Sequence, residues 1–328
     1  MKTALLIDAN SIIHRSFHAL PPLTGPGGQP TGSLYGLASI LLKLWREEKP
    51  AEGDARPLEG EARFSGRPEY IAALFDRPEP TFRKKKYEEY KAQRPPAPNE
   101  LISQIIEAHE LFKAFGIRTF EKPGFEADDL IASFAEKFKH EPDIQVVILT
   151  GDRDTLQIVE DEKVVVRTFK IGVSETLTYD EKMVIEKYGL RPAQLIDYKA
   201  LTGDPSDNIK GVPGIGPKTA VEILKKYGTL EAAYAGLKND PKLEKRLGPF
   251  RKEAELSKEL VTLDRLAPVE ISGLEELKAE GNVPDIKGYF EKLGFRKLIE
   301  RLEKRDSPTA APMKKKKEPE KNKQQAMF

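Results

Sequence analysis

Nine acidic residues stand in six short clusters along this 328-residue chain. They read Leu6-Ile7-Asp8-Ala9-Asn10, Leu74-Phe75-Asp76, Glu126-Ala127-Asp128-Asp129, Gly151-Asp152-Arg153-Asp154, Gly203-Asp204 and Ser206-Asp207. Each falls where a strand or turn should end. Carboxylates gathered in one pocket repel strongly unless cations sit among them. An oxygen-only ligand set suits hard ions such as Mg2+ or Mn2+. If the clusters converge, they point to metal-dependent phosphate chemistry. Taken singly, each has an ordinary explanation: acids at a helix start for Glu126, Asp128 and Asp129, and Asx turns or solvated turns for the later ones. Their joint occurrence beside two strand-end aspartates favours a shared site.

The elements that would position these acids follow from hydrophobic period. Thr3 to Ile7, Glu69 to Phe75 and Ile144 to Leu149 are short apolar runs, and Gly116 to Phe120 is a weaker one. Between them, 32–46, 100–115 and 128–138 carry helical spacing, with Pro98-Asn99-Glu100 as a helix start. Strands alternating with helices predict an α/β fold with a mostly parallel sheet flanked by helices. Ligands of such sheets bind beyond the carboxyl ends of the strands, where Asp8, Asp76 and Asp152 lie. Val164 to Thr168 is expected as an edge strand. From about 180 the pattern becomes helical, which divides the chain into 1–180 and 181–305. Segment 51–68, rich in Gly, Pro and charge, reads as a surface insertion, and 306–328 as a disordered tail.

A formal net charge of +1 hides local segregation: Phe82 to Arg94 holds Arg83, Lys84, Lys85, Lys86, Lys91 and Arg94 against Glu88 and Glu89. Charge runs are usually solvated faces. Here tyrosines interleave with the bases close behind Asp76, a pattern suited to stacking on unpaired bases and tracking a phosphate backbone. Arg15 is a further phosphate candidate near the site, whereas His14 and His18 on the first helix are expected to pack or face solvent. The absence of cysteine excludes disulfides and thiolate chemistry. No apolar run reaches membrane-span length, so a cytoplasmic protein with no membrane association is expected.

Lys210-Gly211-Val212-Pro213-Gly214-Ile215-Gly216-Pro217-Lys218-Thr219-Ala220 is a helix-hairpin-helix signature. Gly214 and Gly216 let the backbone approach a phosphate, Pro217 suits the first helical turn, and the helix start at Lys218 and Thr219 offers free amides. Such contacts read shape and charge rather than bases.

The phrases FEADD, TGDRD, GDPSDN and GVPGIGPKTA, in this order, resemble the 5′ nuclease family: the 5′-3′ exonuclease domain of bacterial DNA polymerase I, stand-alone bacterial and phage 5′ nucleases and, more distantly, flap endonucleases. The likeness runs from about Lys2 to Leu302, interrupted by 51–68. One departure is Ala9, where the family more often has glycine. The resemblance implies a PIN-like nuclease core with a helical arch over 82–98, then the helix-hairpin-helix region. It implies that all nine acids hold metal, with Lys91 and Arg94 on phosphate and Tyr90 stacking or positioning. Arg83 and Lys84 join the expected DNA contacts. It further implies two divalent ions, Mg2+ or Mn2+, acting on a phosphodiester of DNA flaps, nicks and 5′ ends. The products would be a 5′-phosphate and a 3′-hydroxyl, and a K+ ion is implied at the hairpin. The final Gln324-Gln325-Ala326-Met327-Phe328 resembles a bacterial sliding-clamp-binding pentapeptide, with Gln324, Met327 and Phe328 as the anchors. With no polymerase region following, a monomeric stand-alone 5′ nuclease of primer removal and repair is expected. Two alternatives stay open: a PIN-type RNA-cleaving nuclease, and a catalytically inactive binder of branched DNA.

Overall fold

The computed structural model describes residues 1–46, 67–171 and 175–304. The tail, its clamp-like pentapeptide and all but the last two residues of the 51–68 insertion lie outside the described residues.

The chain opens with strand β1 (Lys2–Asp8), helix α1 (Ala9–Ala19) and helix α2 (Gly32–Arg46). β2 (Tyr70–Leu74), α3 (Phe82–Lys86), α4 (Asn99–Ala114), β3 (Arg118–Phe120), α5 (Ala127–Phe138) and β4 (Ile144–Leu149) follow. β5 (Val164–Ile171) and β6 (Glu175–Tyr179) close the sheet, whose order is β3-β2-β1-β4-β5-β6. All neighbours are parallel except β5 and β6. β1 lies inside the sheet and is covered on both faces, which is why its middle, Ala4 to Ile7, is wholly apolar. Alternation sends Leu5 and Ile7 to one face, against α1, α2 and α4, and Ala4 and Leu6 to the other, against α5.

Two expectations need correction here. Val164–Thr168 is an interior strand, because Glu175–Tyr179 pairs antiparallel on its far side and forms the edge. The region 82–98 is not one continuous helix. α3 ends at Lys86, and turns over 88–93 lead on toward α4.

α6 (Glu181–Tyr188) packs Val184 on the α5 face of the sheet, and the second unit contains α7 (Gln194–Thr202), the two-residue strands β7 (Gly203–Asp204) and β8 (Ile209–Lys210), and α8 (Pro217–Tyr227). α9 (Leu230–Gly236), α10 (Pro241–Leu247) and α11 (Arg251–Val261) complete it around Leu201, Val212, Leu224 and Leu247. The last two helices, α12 (Val283–Leu293) and α13 (Arg296–Glu303), do not belong there, contrary to the 181–305 division. Ile286, Phe290, Leu298 and Leu302 pack into the first sheet face with Leu34, Leu41 and Phe112. A backbone crossing pins this return. Gly116 has φ +66°, and a Cβ on it would stand 2.2 Å from the nitrogen of Gly281.

Candidate metal centre and nucleic-acid interface

Asp8 ends β1 and caps α1, with Oδ1 accepting from the Ser11 amide at 3.0 Å. Its Oδ2 accepts from Thr150 Oγ1 at 2.6 Å, just past β4. Thr150 Oγ1 in turn accepts from the amide of Asp152 at 2.9 Å, so the ends of neighbouring strands are tied together. Asp76, two residues beyond β2, accepts from the Ala127 amide at 2.7 Å and so joins β2 to the start of α5. Parallel register therefore brings Asp8, Asp76, Asp128 and Asp152 to one end of the sheet.

Their charges act on one another. Burial, opposed by the Thr150 hydrogen bond and reinforced by Asp76 and Asp152, pushes the Asp8 carboxyl up to about 7. Asp128 is pushed well above the carboxylate range, first by burial and then by Asp8, Asp152, Asp154 and Asp76. Its Oδ1 is sealed from solvent and has no hydrogen-bond partner. Burial and Asp152 raise Asp154 to about 7 although Lys199 pulls it down. Oxygen donors alone, one of them orphaned among repelling carboxylates, fit a hard divalent cation. Among the described residues, no three acidic or imidazole side chains already close into an ion cage. Cationic side chains instead bridge several of the acids.

Lys91 Nζ lies 2.9 Å from Glu126 Oε2 and 3.8 Å from Asp207 Oδ2. Arg94 Nη2 donates to Asp207 Oδ1 at 2.5 Å. Tyr90 is 3% exposed, and its hydroxyl lies 3.0 Å from both Glu126 Oε2 and Asp207 Oδ2. Burial and these two carboxylates raise its phenol far above the usual range. The ring is thus closed off from base stacking, and the positioning role is the one its surroundings fit. The segment 89–94 rests on the acid loop through the Lys91 amide to Asp207 O at 3.0 Å, Gln93 Nε2 to Pro205 O at 2.9 Å and Asn208 Nδ2 to Glu89 O at 2.7 Å. Lys91 holds φ +53° there, a conformation rarely adopted by a side-chain-bearing residue.

Asp129 and Arg83 are corrections. Successive helix residues diverge by about 100°, so Asp128 faces the pocket while Asp129 faces the interior. Asp129 is fully buried, and its two oxygens take Arg83 Nη1 at 2.6 Å and Nη2 at 2.7 Å. They also accept the amides of Glu126 at 3.1 Å and Asp264 at 2.9 Å. Arg83 is 1% exposed and further donates to Leu260 O and Thr262 O, both at 2.8 Å. It braces α3 and α5 against the end of α11 instead of facing a strand of DNA. Lys84 folds back onto the carbonyls of Glu88 and Tyr90.

Lys199 is the residue that sequence reasoning missed. It projects from α7 and bridges Asp154 and Asp204, 2.6 Å from Asp204 Oδ2. Its place one helical turn before GDPSDN is the only hint the sequence offers. Burial would raise Asp204, but Lys199 and the amide and hydroxyl of Ser206 hold it below the carboxylate range.

Gly214, Gly216 and Lys218 are exposed at the start of α8, Thr219 is half-buried, and the first turn carries no acid. Gly214 has φ +77°, which favours glycine. Gly216 has φ −93° and open space around its missing Cβ, so nothing within the chain demands glycine there. Close approach by an outside group is a remaining reason. Arg15, with its guanidinium 5.3 Å from the Phe169 ring, lines a polar hollow of about 350 Å³ with Ser11, Asp152 and Arg153.

Residues 3–189 match the 5′-3′ exonuclease, N-terminal resolvase-like domain family, and 190–287 match the 5′-3′ exonuclease, C-terminal SAM fold family. The 5′-3′ exonuclease of Aquifex aeolicus is 38% identical over 93% of this chain and 96% of its own length. DNA polymerase I of Bacillus subtilis is 37% identical over 92% of this chain, which spans only 32% of that polymerase. A bacteriophage T5 flap endonuclease, solved in a complex with DNA and metal ions, shares the fold at TM-score 0.58 and 21% identity, covering 92% of this chain and 98% of that one. The chain belongs to the 5′-3′ exonuclease family of metal-dependent nucleases. Its architecture is a resolvase-like sheet domain joined to a helical SAM-fold domain. Among the described residues, no helix is long and apolar enough to cross a membrane.

Proposed function

We propose that this chain is a structure-selective 5′ nuclease that hydrolyses DNA phosphodiesters at flaps, nicks and 5′ ends, in primer removal and repair. The observation that carries the reading is Asp128, whose unpartnered buried oxygen is surrounded by the charges of Asp8, Asp76, Asp152 and Asp154. These residues, with Glu126, Asp204 and Asp207, are the proposed holders of two Mg2+ or Mn2+ ions. Bound there, the ions would supply Lewis acidity toward the phosphodiester and acidify a water.

The chain's own residues do the rest. Lys91 and Arg94, beside Glu126 and Asp207, would take the phosphate flanking the scissile bond. Tyr90 would position these two acids by donating its one proton to either Glu126 or Asp207. The amides of Gly216, Lys218 and Thr219 at the start of α8 would grip duplex backbone, with K+ the proposed hairpin ion, and Arg15 would meet phosphate beside Asp152. Gln324, Met327 and Phe328 are the proposed anchors for a bacterial sliding clamp. The test is a 5′-labelled flap oligonucleotide incubated with Mg2+ or with chelator. Cleavage near the junction in Mg2+ alone is expected. Tight binding with no cleavage under any divalent ion would overturn the catalytic reading.

A further inference from the structure

The geometry points to Lys199 as an internal stand-in for a divalent ion: it neutralises Asp154 and Asp204 in the ion-free protein, and ion loading expels it toward the hairpin. This inference rests on the metal reading above. Lys199 leaves α7 five residues before Asp204, and its ammonium touches one carboxylate from each side of the molecule. Asp154 follows β4 in the sheet domain, and Asp204 opens the loop before the hairpin. A lysine in that position makes the two acids compatible at close range, as a divalent ion would.

The pairing also has a direction of release. Lys199, Asp154, Asp204, Tyr198 and Pro217 line one cavity of about 430 Å³. Pro217 is the first residue of α8, beside the exposed hairpin amides. An ammonium displaced from the two carboxylates therefore has room to turn toward the surface where duplex backbone would lie. In the ion-free state the same charge is spent on acids; in the loaded state it adds to the DNA-binding face. Ion binding and duplex binding would thus reinforce one another through one side chain.

Two measurements on the full chain test this. The first is lysine acetylation of the parent protein by an acylating reagent, mapped by mass spectrometry in chelator and in Mg2+. Lys199 should be protected in chelator and modified at least fivefold faster in Mg2+; equal reactivity would overturn the inference. The second is Mg2+ calorimetry on the parent and on Lys199→Gln, without DNA. Removing the competing cation should tighten Mg2+ binding about tenfold, the scale of losing one charge pair near a surface. Weaker or unchanged Mg2+ binding in a folded variant would overturn it, since a lysine that merely supports the ligands would loosen the site when removed. If the parent shows no Mg2+ binding, the metal reading itself fails, and this inference with it. Should Lys199→Gln not fold, the acetylation measurement on the parent still decides.

Discussion

Asp128 and Asp204 are carboxylates of one proposed centre, yet their surroundings differ in sign. Asp128 sits at the mouth of the parallel sheet, where the nearest charges are other acids and Oδ1 has no donor. Asp204 sits in the loop before the hairpin, where Lys199 and two groups of Ser206 hold it ionised. Neighbouring Asp207 accepts hydrogen bonds from Arg94 and Tyr90. Among the described residues, Asp8 and Asp128 thus have no cation of the chain against them, whereas Asp154, Asp204 and Asp207 do. A divalent ion would relieve the first region and compete with the second.

Replacing one acid on each side should separate the two cases most sharply. Asp128→Asn removes repulsion, so the ion-free protein should gain thermal stability while single-turnover flap cleavage falls on the order of 10³-fold. Asp204→Asn should also abolish turnover, but it leaves Lys199 with one partner, so the ion-free protein should lose stability. Equal stability changes in the two variants would break the comparison.

Next in size is the brace beneath both regions. Arg83→Met leaves Asp129 charged, fully buried and short of its partner, which should cost about 3 to 5 kcal/mol in urea unfolding. Arg83→Met combined with Asp129→Leu should recover most of that loss. If the double variant is as unstable as the single one, the carbonyl bonds to Leu260 and Thr262 matter more than the ion pair.

A pH series probes the uncompensated side directly. The Asp8 carboxyl titrates near 7 in the folded chain and in the ordinary range when unfolded. The folded state therefore holds a proton that the unfolded state has released, and stability falls as pH rises through this window. Asp8→Asn cannot lose that proton. In chelator, its advantage over the parent should grow between about pH 4 and pH 7, reaching on the order of 4 kcal/mol, and level off above. An advantage that stays constant across the series would show that Asp8 is not held protonated by its burial and its acidic neighbours.

Much of this division can be read in the sequence, and the rest has physical reasons for staying hidden. Asp8, Asp76 and Asp152 are legible because parallel strands bring their carboxyl ends to one edge whatever the helices do. Asp128 and Asp129 are not separable by spacing, since adjacent helix positions share a cluster in sequence but face different ways. The signal available was Asp129 three residues after Glu126, the spacing at which a helix-start acid turns back to cap the first amides. Arg83 disappears in a run of lysines, although the single arginine among them is the residue whose planar fork suits a buried carboxylate. The return of α12 and α13 to the sheet could not be inferred from helical period, which shows an apolar face but not its partner.

The smallest expected effect belongs to Tyr90, a neutral donor between the cations that clasp Glu126 and Asp207. Its hydroxyl has a single proton and two acceptors at 3.0 Å, so it satisfies only one carboxylate at a time. Lys91 already serves Glu126, and Arg94 already serves Asp207. Tyr90→Phe keeps the buried ring and removes one neutral hydrogen bond, which should cost about 1 kcal/mol of stability and a roughly fivefold decrease in single-turnover rate. Lys91→Ala, which removes a charge rather than a dipole, should slow the same step considerably more. Were Tyr90→Phe as slow as Lys91→Ala, the phenol would have to act on the substrate itself, and the cationic clasp would no longer account for how the helical side of the centre is held.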